Sequence, residues 1–295
     1  MTSPSPTPPS RSDDALIAAA RAFRPPEIAL RSFSTARVSD FVLGGDHSWA
    51  IDKSFVRRAA LILPGFEQLY RDERRFRDRA VALAIEHGIR QFLDIGSGLP
   101  YTGALHQRLT GLLDHRILYA DLDPLVAADL RIETENLAGV GYVQGDLLTP
   151  GTILFAESAR ELLDFTKPIC LVTTGILDAF DDDAVLTEAL RCYTDRMAPG
   201  SLLIASHTSL DSLDPDDAWD RERREQVLAF CASYQDSDVP ARVLRDAGAL
   251  RSLLGDLVLL WPGVVPARAW RRTGSQADSS YWPSLCLGVV GQVQA

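Results

Sequence analysis

The chain has 295 residues, 46% of them hydrophobic, and a net charge of −10. That is enough apolar material for one large domain with a full core, and the absence of any basic block excludes nucleic acid as the main partner. No apolar run is long enough to span a bilayer and the opening MTSPSPTPPSRS has no secretory core, so a cytoplasmic protein without a membrane partner is expected.

Residues 1–12 are Pro/Ser-rich and are expected to be disordered. Residues 13–23 read as a short helix stopped by Pro25 and Pro26, making 1–26 a disordered or loosely helical extension. Residues 27–50, with VLGGDHSW, are turn-rich. Helical patterns follow at 52–62 and 66–87, the second carrying Leu69, Phe76, Ala80, Leu83 and Ala84 and ending at Gly88. Segment 27–88 is therefore expected to be a helical cap, with 27–50 a mobile cover. The arginines of this region (Arg57, Arg58, Arg71, Arg74, Arg75, Arg77, Arg79) alternate with Asp72, Glu73 and Asp78 and read as a solvated helix face.

From Arg90 onward, short apolar runs alternate with helical stretches. Strands are expected at 91–95, 116–121, 140–144, 169–174, 201–206, 256–261 and 284–293. Helices are expected near 103–113, 124–137, 152–163, 181–197 and 240–254. The alternation specifies an α/β fold for 89–295, a doubly wound, mostly parallel sheet of seven strands. No helical pattern separates the last two strands, so they are expected to pair antiparallel. Cys170, Cys192, Cys231 and Cys286 are widely spaced and read as free thiols.

The segment QFLDIGSGLP carries the strongest functional signal. An apolar strand delivers Asp94, and the loop behind it has glycines at 96 and 98, which let a ligand approach the backbone. Two further strands end in Asp121 and Asp146. A dinucleotide fingerprint would need a third glycine where Tyr101 stands, and Asp94 would repel a pyrophosphate.

This set resembles the class I S-adenosylmethionine-dependent methyltransferases. Over about residues 35–290 it is similar to an actinobacterial methyltransferase family once called a domain of unknown function, through ARVSDFVLGG, LDIGSGLPYTGALH, DLDPLV, LLDFTKP, PGSLLIASH and PGVVP. The resemblance implies S-adenosylmethionine as cofactor, leaving as S-adenosylhomocysteine, and no metal. It implies cofactor contacts from Asp94, Gly96, Ser97, Gly98, Asp121, Leu122, Asp146, Leu147 and Thr174, and lid contacts from Arg37, Gly44 and Gly45, with Asp40 beside them. Arg74 also stands where the family has an arginine. The chain departs from the family pattern at Ser39 (a tyrosine there), at Glu73 and Ala104 (asparagines), and at Leu177-Asp178-Ala179 (a Leu-His-Phe-like triplet).

Those departures concern positions expected to face the methyl acceptor. Asp178 is the first candidate for a catalytic base and His207 the second. His106 reads as structural, and Asp181 to Asp183 as a helix start rather than a metal site. Trp49, Trp219, Trp270, Tyr281 and Trp282 fall where they could border the ligand edge. The expected function is methyl transfer to a small molecule in actinobacterial specialised metabolism, as a homodimer or with a small partner protein. Two alternatives stay open: a non-methylating enzyme catalysing a cyclisation or intramolecular displacement on the same fold, and a scaffold subunit.

Overall fold

The computed structural model describes residues 11–28, 30–234, 239–240, 242–272 and 282–294. Four helices come first: α1 (Arg11–Ala22), α2 (Thr35–Val42), α3 (Ala50–Ile62) and α4 (Phe66–Glu86). Then β1 (Gln91–Ile95), α5 (Leu105–Arg108), β2 (Arg116–Asp121), α6 (Pro124–Thr134) and β3 (Val140–Gln144) alternate. Next are α7 (Gly151–Leu154), α8 (Glu157–Leu162), β4 (Ile169–Thr173), a 3-10 turn (Leu177–Ala179), α9 (Asp183–Thr194) and β5 (Leu202–Thr208). The chain closes with α10 (Ala218–Ala232), α11 (Ala247–Leu253), β6 (Val258–Leu259), β7 (Val265–Pro266) and β8 (Cys286–Gln292).

The sheet runs β3-β2-β1-β4-β5-β8-β6, with β7 also paired to β8. Strands β1 to β5 are parallel, and β8 runs antiparallel to β5 with Leu202 opposite Gln292 and Thr208 opposite Cys286. The order reverses between β1 and β4. In such a sheet the crevice at the carboxyl ends of the strands is where a ligand fits.

Strand alternation feeds two cores. Phe92 and Ile204 face one side, where α2, α3, α4 and α10 contribute Val38, Phe55, Phe66 and Phe230. Leu93 and Leu203 face the other, against Ile153, Leu186 and Leu250. Helix α4 lies across β5 and β8. Gly288 makes that crossing possible, since a Cβ there would come within 2.6 Å of the Phe76 ring.

The mostly parallel α/β sheet with antiparallel final strands is the expected one, but it has eight strands rather than seven. The 256–261 run contributes only Val258–Leu259, and β7 supplies a second short partner for β8. Part of the turn-rich 27–50 segment is helix α2, whose Val38 and Val42 sit one turn apart and are both buried. The 103–113 helix contracts to one turn between Gly103 and Gly111, both at positive φ. Helix 152–163 breaks at Phe155 and Ala156 into α7 and α8. Helix α10 had no expected counterpart: it is rich in charge and buries only Val227, Phe230 and Cys231, so its apolar stripe is thin.

Candidate active site

The first half of the site is built by the ends of β1, β2 and β3. At the end of β1 the chain turns through Gly96 (φ 69°) and Gly98 (φ 67°), a left-handed backbone that favours glycine. A side chain on Gly96 would overlap Ile176. The Gly98 N–H donates to Asp121 Oδ2 at 2.9 Å and the Asp123 N–H to Oδ1 at 3.0 Å. Asp121 thus ties the glycine loop to the turn that starts α6. Burial pushes its carboxyl up to about 6 against those two N–H donors.

Asp94 is buried, and no described residue donates a hydrogen bond to its carboxylate. Burial raises it to about 6, with Arg77 and Arg74 opposing. Those arginines are not on a solvated face. Arg74 Nη1 donates to the Thr102 and Gly103 carbonyls at 2.8 Å each, and Arg77 Nη2 to Gly103 at 2.5 Å, bracing the far side of the glycine loop. Asp146 accepts from the Leu148 N–H at 3.0 Å and from Thr149 Oγ1 at 3.2 Å, so it shapes its own turn while bordering the cavity.

The second half is assembled from residues distant in sequence. Tyr70, Glu73, Arg74 and Arg77 have the i, i+3, i+4, i+7 spacing of one helix face, and all four line the cavity. Ser206 Oγ donates to Glu73 Oε1 at 2.5 Å and accepts from the Gly175 N–H at 2.9 Å. Thr208 Oγ1 donates to Asp178 Oδ2 at 2.6 Å. Arg242 forms an ion pair with the same oxygen and donates to Tyr234 Oη at 3.1 Å and Tyr70 Oη at 3.2 Å. Its guanidinium sits 5.6 Å from the Tyr70 ring and 5.5 Å from the Tyr234 ring. Burial raises the Glu73 carboxyl; the Ser206 bond opposes this and Asp178 adds to it.

The two halves share a cavity of about 490 Å³ at the switch point of the sheet. Asp94, Gly96, Ser97, Gly98, Asp121, Leu122, Asp146, Leu147, Thr174, Arg37 and Asp178 all line it. Gly44, Gly45 and His207 are not among its lining residues. Gly44 and Gly45 form the turn behind α2, where Gly45 N–H donates to the Asp40 carbonyl at 2.8 Å. Arg37 reaches the cavity wall, but its guanidinium is committed to Asp52 at 2.7 Å and 3.1 Å and to the Ser32 carbonyl.

His207 is placed by strand alternation. Ser206 and Thr208 point to the cavity side of β5, so His207 points to the other. There Arg245 donates to Nε2 at 2.8 Å, leaving Nδ1 to donate to the Thr208 carbonyl at 2.8 Å. Burial lowers its pKa. The His106 N–H donates to Tyr119 Oη at 2.9 Å and its Nδ1 lies 3.1 Å from the same oxygen, and His106 does not line the cavity. Asp182 caps α9, and Asp183 pairs with Arg245. None of Trp49, Trp219, Trp270 and Trp282 lines the cavity, and Tyr281 lies outside the described residues. Phe33, Tyr70, Phe180 and Tyr234 are the aromatic residues that line it instead. Sequence reasoning noticed Glu73 as an acid of a solvated helix face and as a departure from a pattern, and it missed Tyr70, Tyr234 and Arg242. The inward spacing on α4 was the available signal.

A family model described as S-adenosyl methyltransferase matches residues 22–294. The chain belongs to the S-adenosyl methyltransferase family. The methyltransferase is similar to the crystal structure of a candidate methyltransferase from Thermobifida fusca, with 26% identity and a TM-score of 0.79 over 90% of this chain and 97% of that one. A domain-of-unknown-function family protein from Streptomyces avermitilis gives 28% identity and a TM-score of 0.79 over 90% and 99%. A structure from Bordetella parapertussis, 16% identical with a TM-score of 0.55 over 96% and 87%, shares the fold. No curated protein matches.

The residues present fit S-adenosylmethionine, the cofactor of this family. Asp94 is a buried carboxylate to which no described residue donates a hydrogen bond, suited to the ammonium of an amino acid. Asp121 has lone pairs left for a ribose diol. The glycine loop leaves the backbone open to close approach.

Proposed function

We propose that this methyltransferase transfers a methyl group to a small-molecule nucleophile, as a cytoplasmic enzyme of actinobacterial specialised metabolism. The cavity volume supports a small acceptor, since such sites enclose roughly 300–1,000 Å³. Both similar structures at 26% and 28% identity come from actinobacteria. The observation that carries the reading is the meeting, in one cavity, of the Asp94–Gly98 loop, Asp121 and Asp146 with a polar cluster around Glu73.

The bound cofactor supplies an activated methyl group. The chain's own residues orient the acceptor and take its proton. Asp178 is poorly suited to that task, because its Oδ2 is already committed to Arg242 and Thr208. Glu73 is the better base: its carboxyl is raised by burial and borders the cavity. Asp178 positions Arg242, which in turn holds the two tyrosine hydroxyls. Calorimetry with S-adenosylhomocysteine tests the foundation of this reading. Binding in the micromolar range is expected, and no binding at millimolar ligand would overturn it.

A further inference from the structure

We propose that the methyl acceptor is a cationic amine carried on an aromatic or apolar frame, recognised by Glu73 and methylated at nitrogen. The inference rests on the methyltransferase reading above and deepens it.

Charge at the acceptor end decides the class. Arg242 is the cation nearest that end, and its charge is spent. Asp178 neutralises it, and its three hydrogen-bonding nitrogens are committed to Asp178, Thr208, Tyr234 and Tyr70. Arg74 turns its Nη1 to the Thr102 and Gly103 carbonyls. Glu73 has no comparable ion pair. Its Oε1 accepts from Ser206, and no described residue donates to Oε2. Gly175 leaves room before that oxygen: a Cβ there would stand 2.8 Å from it. An acceptor reaching Glu73 therefore meets a carboxylate without an ion pair of its own, in a cavity whose wall also carries Tyr70, Tyr234 and Phe33. A carboxylate with aromatic faces is a receptor for an ammonium group. An anionic acceptor would be repelled, and the cavity as a whole is lined by seven carboxylates and four guanidiniums among the described residues.

The chemistry balances. An ammonium has no lone pair, so its proton passes first to Glu73. The freed nitrogen pair then forms the N–C bond to the methyl group while the C–S pair returns to sulfur, leaving a neutral thioether and a methylated ammonium. The groups facing Glu73 are Arg74 on its own helix, Asp178 after β4, Ser206 on β5, Arg242 before α11 and Cys286 on β8. With an acid raised by burial, amine affinity is full above the titration of that carboxyl, while the amine itself stays protonated, and falls as the carboxylate protonates.

The test titrates the full chain, saturated with S-adenosylhomocysteine, with benzylamine, benzyl alcohol and benzoate by calorimetry. Benzylamine is expected to bind at least about tenfold more tightly than either isostere, to weaken as pH falls, and to lose its preference in Glu73→Gln. Ser206→Ala keeps the carboxylate and is expected to keep the preference. Equal or tighter binding of the alcohol or benzoate overturns the inference. So does undetectable benzylamine binding at millimolar concentration, or an amine preference that survives in Glu73→Gln. The wild-type ranking stands as a test even if a variant fails to fold. Failure of S-adenosylhomocysteine to bind would strike the methyltransferase reading instead.

Discussion

The two halves of the cavity are made in opposite ways. The edge formed by β1, β2 and β3 is local: Asp94, Gly96 and Gly98 lie within five residues, and Asp121 acts through backbone N–H groups of its own turn and of the glycine loop. Its polar groups keep spare capacity. The opposite half gathers Tyr70, Glu73, Asp178, Ser206, Thr208, Tyr234 and Arg242 from five separate stretches, and most of its polar atoms satisfy one another. A local edge keeps its geometry wherever the strands are formed. A gathered cluster depends on the whole fold, and one lost member leaves its partners stranded.

That contrast predicts where stability is stored. Arg242→Ala removes the partner of a buried carboxylate and two tyrosine hydroxyls. It is expected to destabilise the fold by about 3–5 kcal/mol, measured by denaturant unfolding. The double variant Arg242→Met with Asp178→Leu removes both charges and is expected to recover much of that loss. Unfolding of Arg242→Ala at the wild-type midpoint would show that the cluster is solvated, and the contrast would fail. On the local edge, Asp121→Ala is expected to leave the fold nearly unchanged. It should weaken S-adenosylhomocysteine binding by about 1.5–3 kcal/mol, the range for hydrogen bonds involving a charged group. Calorimetry on both proteins checks it.

Protonation sharpens the same comparison. Asp94 and Asp121 are both raised to about 6, chiefly by burial, with Arg77 and Arg74 facing Asp94. For a carboxyl raised above its unfolded value, the favourable contribution is full below about pH 4 and is lost as pH rises through about 6. Ligand binding has the opposite sign, because the ammonium and diol of the cofactor favour ionised carboxylates. Affinity for S-adenosylhomocysteine is expected to fall about tenfold between about pH 7.5 and about pH 5. Asp94→Asn should flatten that profile, and an unchanged slope would remove Asp94 from the ammonium site.

The local edge was legible in the sequence for the reason that makes it robust. Strand, aspartate and glycine loop are consecutive, so a short window contains the whole device, and the parallel sheet followed from the spacing of such windows. The antiparallel end was legible from the missing helix between the last strands. Helix α10 was not, because a charged helix that buries three residues leaves little periodic signal. The gathered cluster was hidden more deeply. Arg242 lies in a coil segment and Tyr234 just beyond α10, so nothing local marks either as facing Glu73. The arginine-rich α4 misled through composition: alternating charge describes a solvated face, yet Asp72, Arg74 and Arg77 turn inward to pair with Arg268, the Thr102 and Gly103 carbonyls and Asp78. His207 shows how a strand's period of two overrides proximity along the chain, since its neighbours Ser206 and Thr208 bond to Glu73 and Asp178 of the cavity wall and it bonds to Arg245 instead.

The smallest expected effect concerns the cover. Its attachment to the cofactor edge includes one thin link: Ser34 Oγ donates to Asp123 Oδ2 at 3.3 Å, while the Ser34 N–H is held by Asp52 at 2.9 Å. Asp52 also takes Arg37 and the Trp49 N–H, at 2.7 Å each, so α2 and α3 form one braced unit that meets the β2 turn through Ser34. A bond of this length, partly exposed, contributes about 0.5–1 kcal/mol. Ser34→Ala is therefore expected to leave unfolding unchanged within error and to speed hydrogen exchange across α2 by a few-fold. Added S-adenosylhomocysteine should slow exchange there in the wild type, because α2 borders the same cavity as Asp121. Equal protection with and without ligand would show that α2 is fixed by the Asp52 hub alone. In that case the N-terminal segment is a wall of the site and not its door.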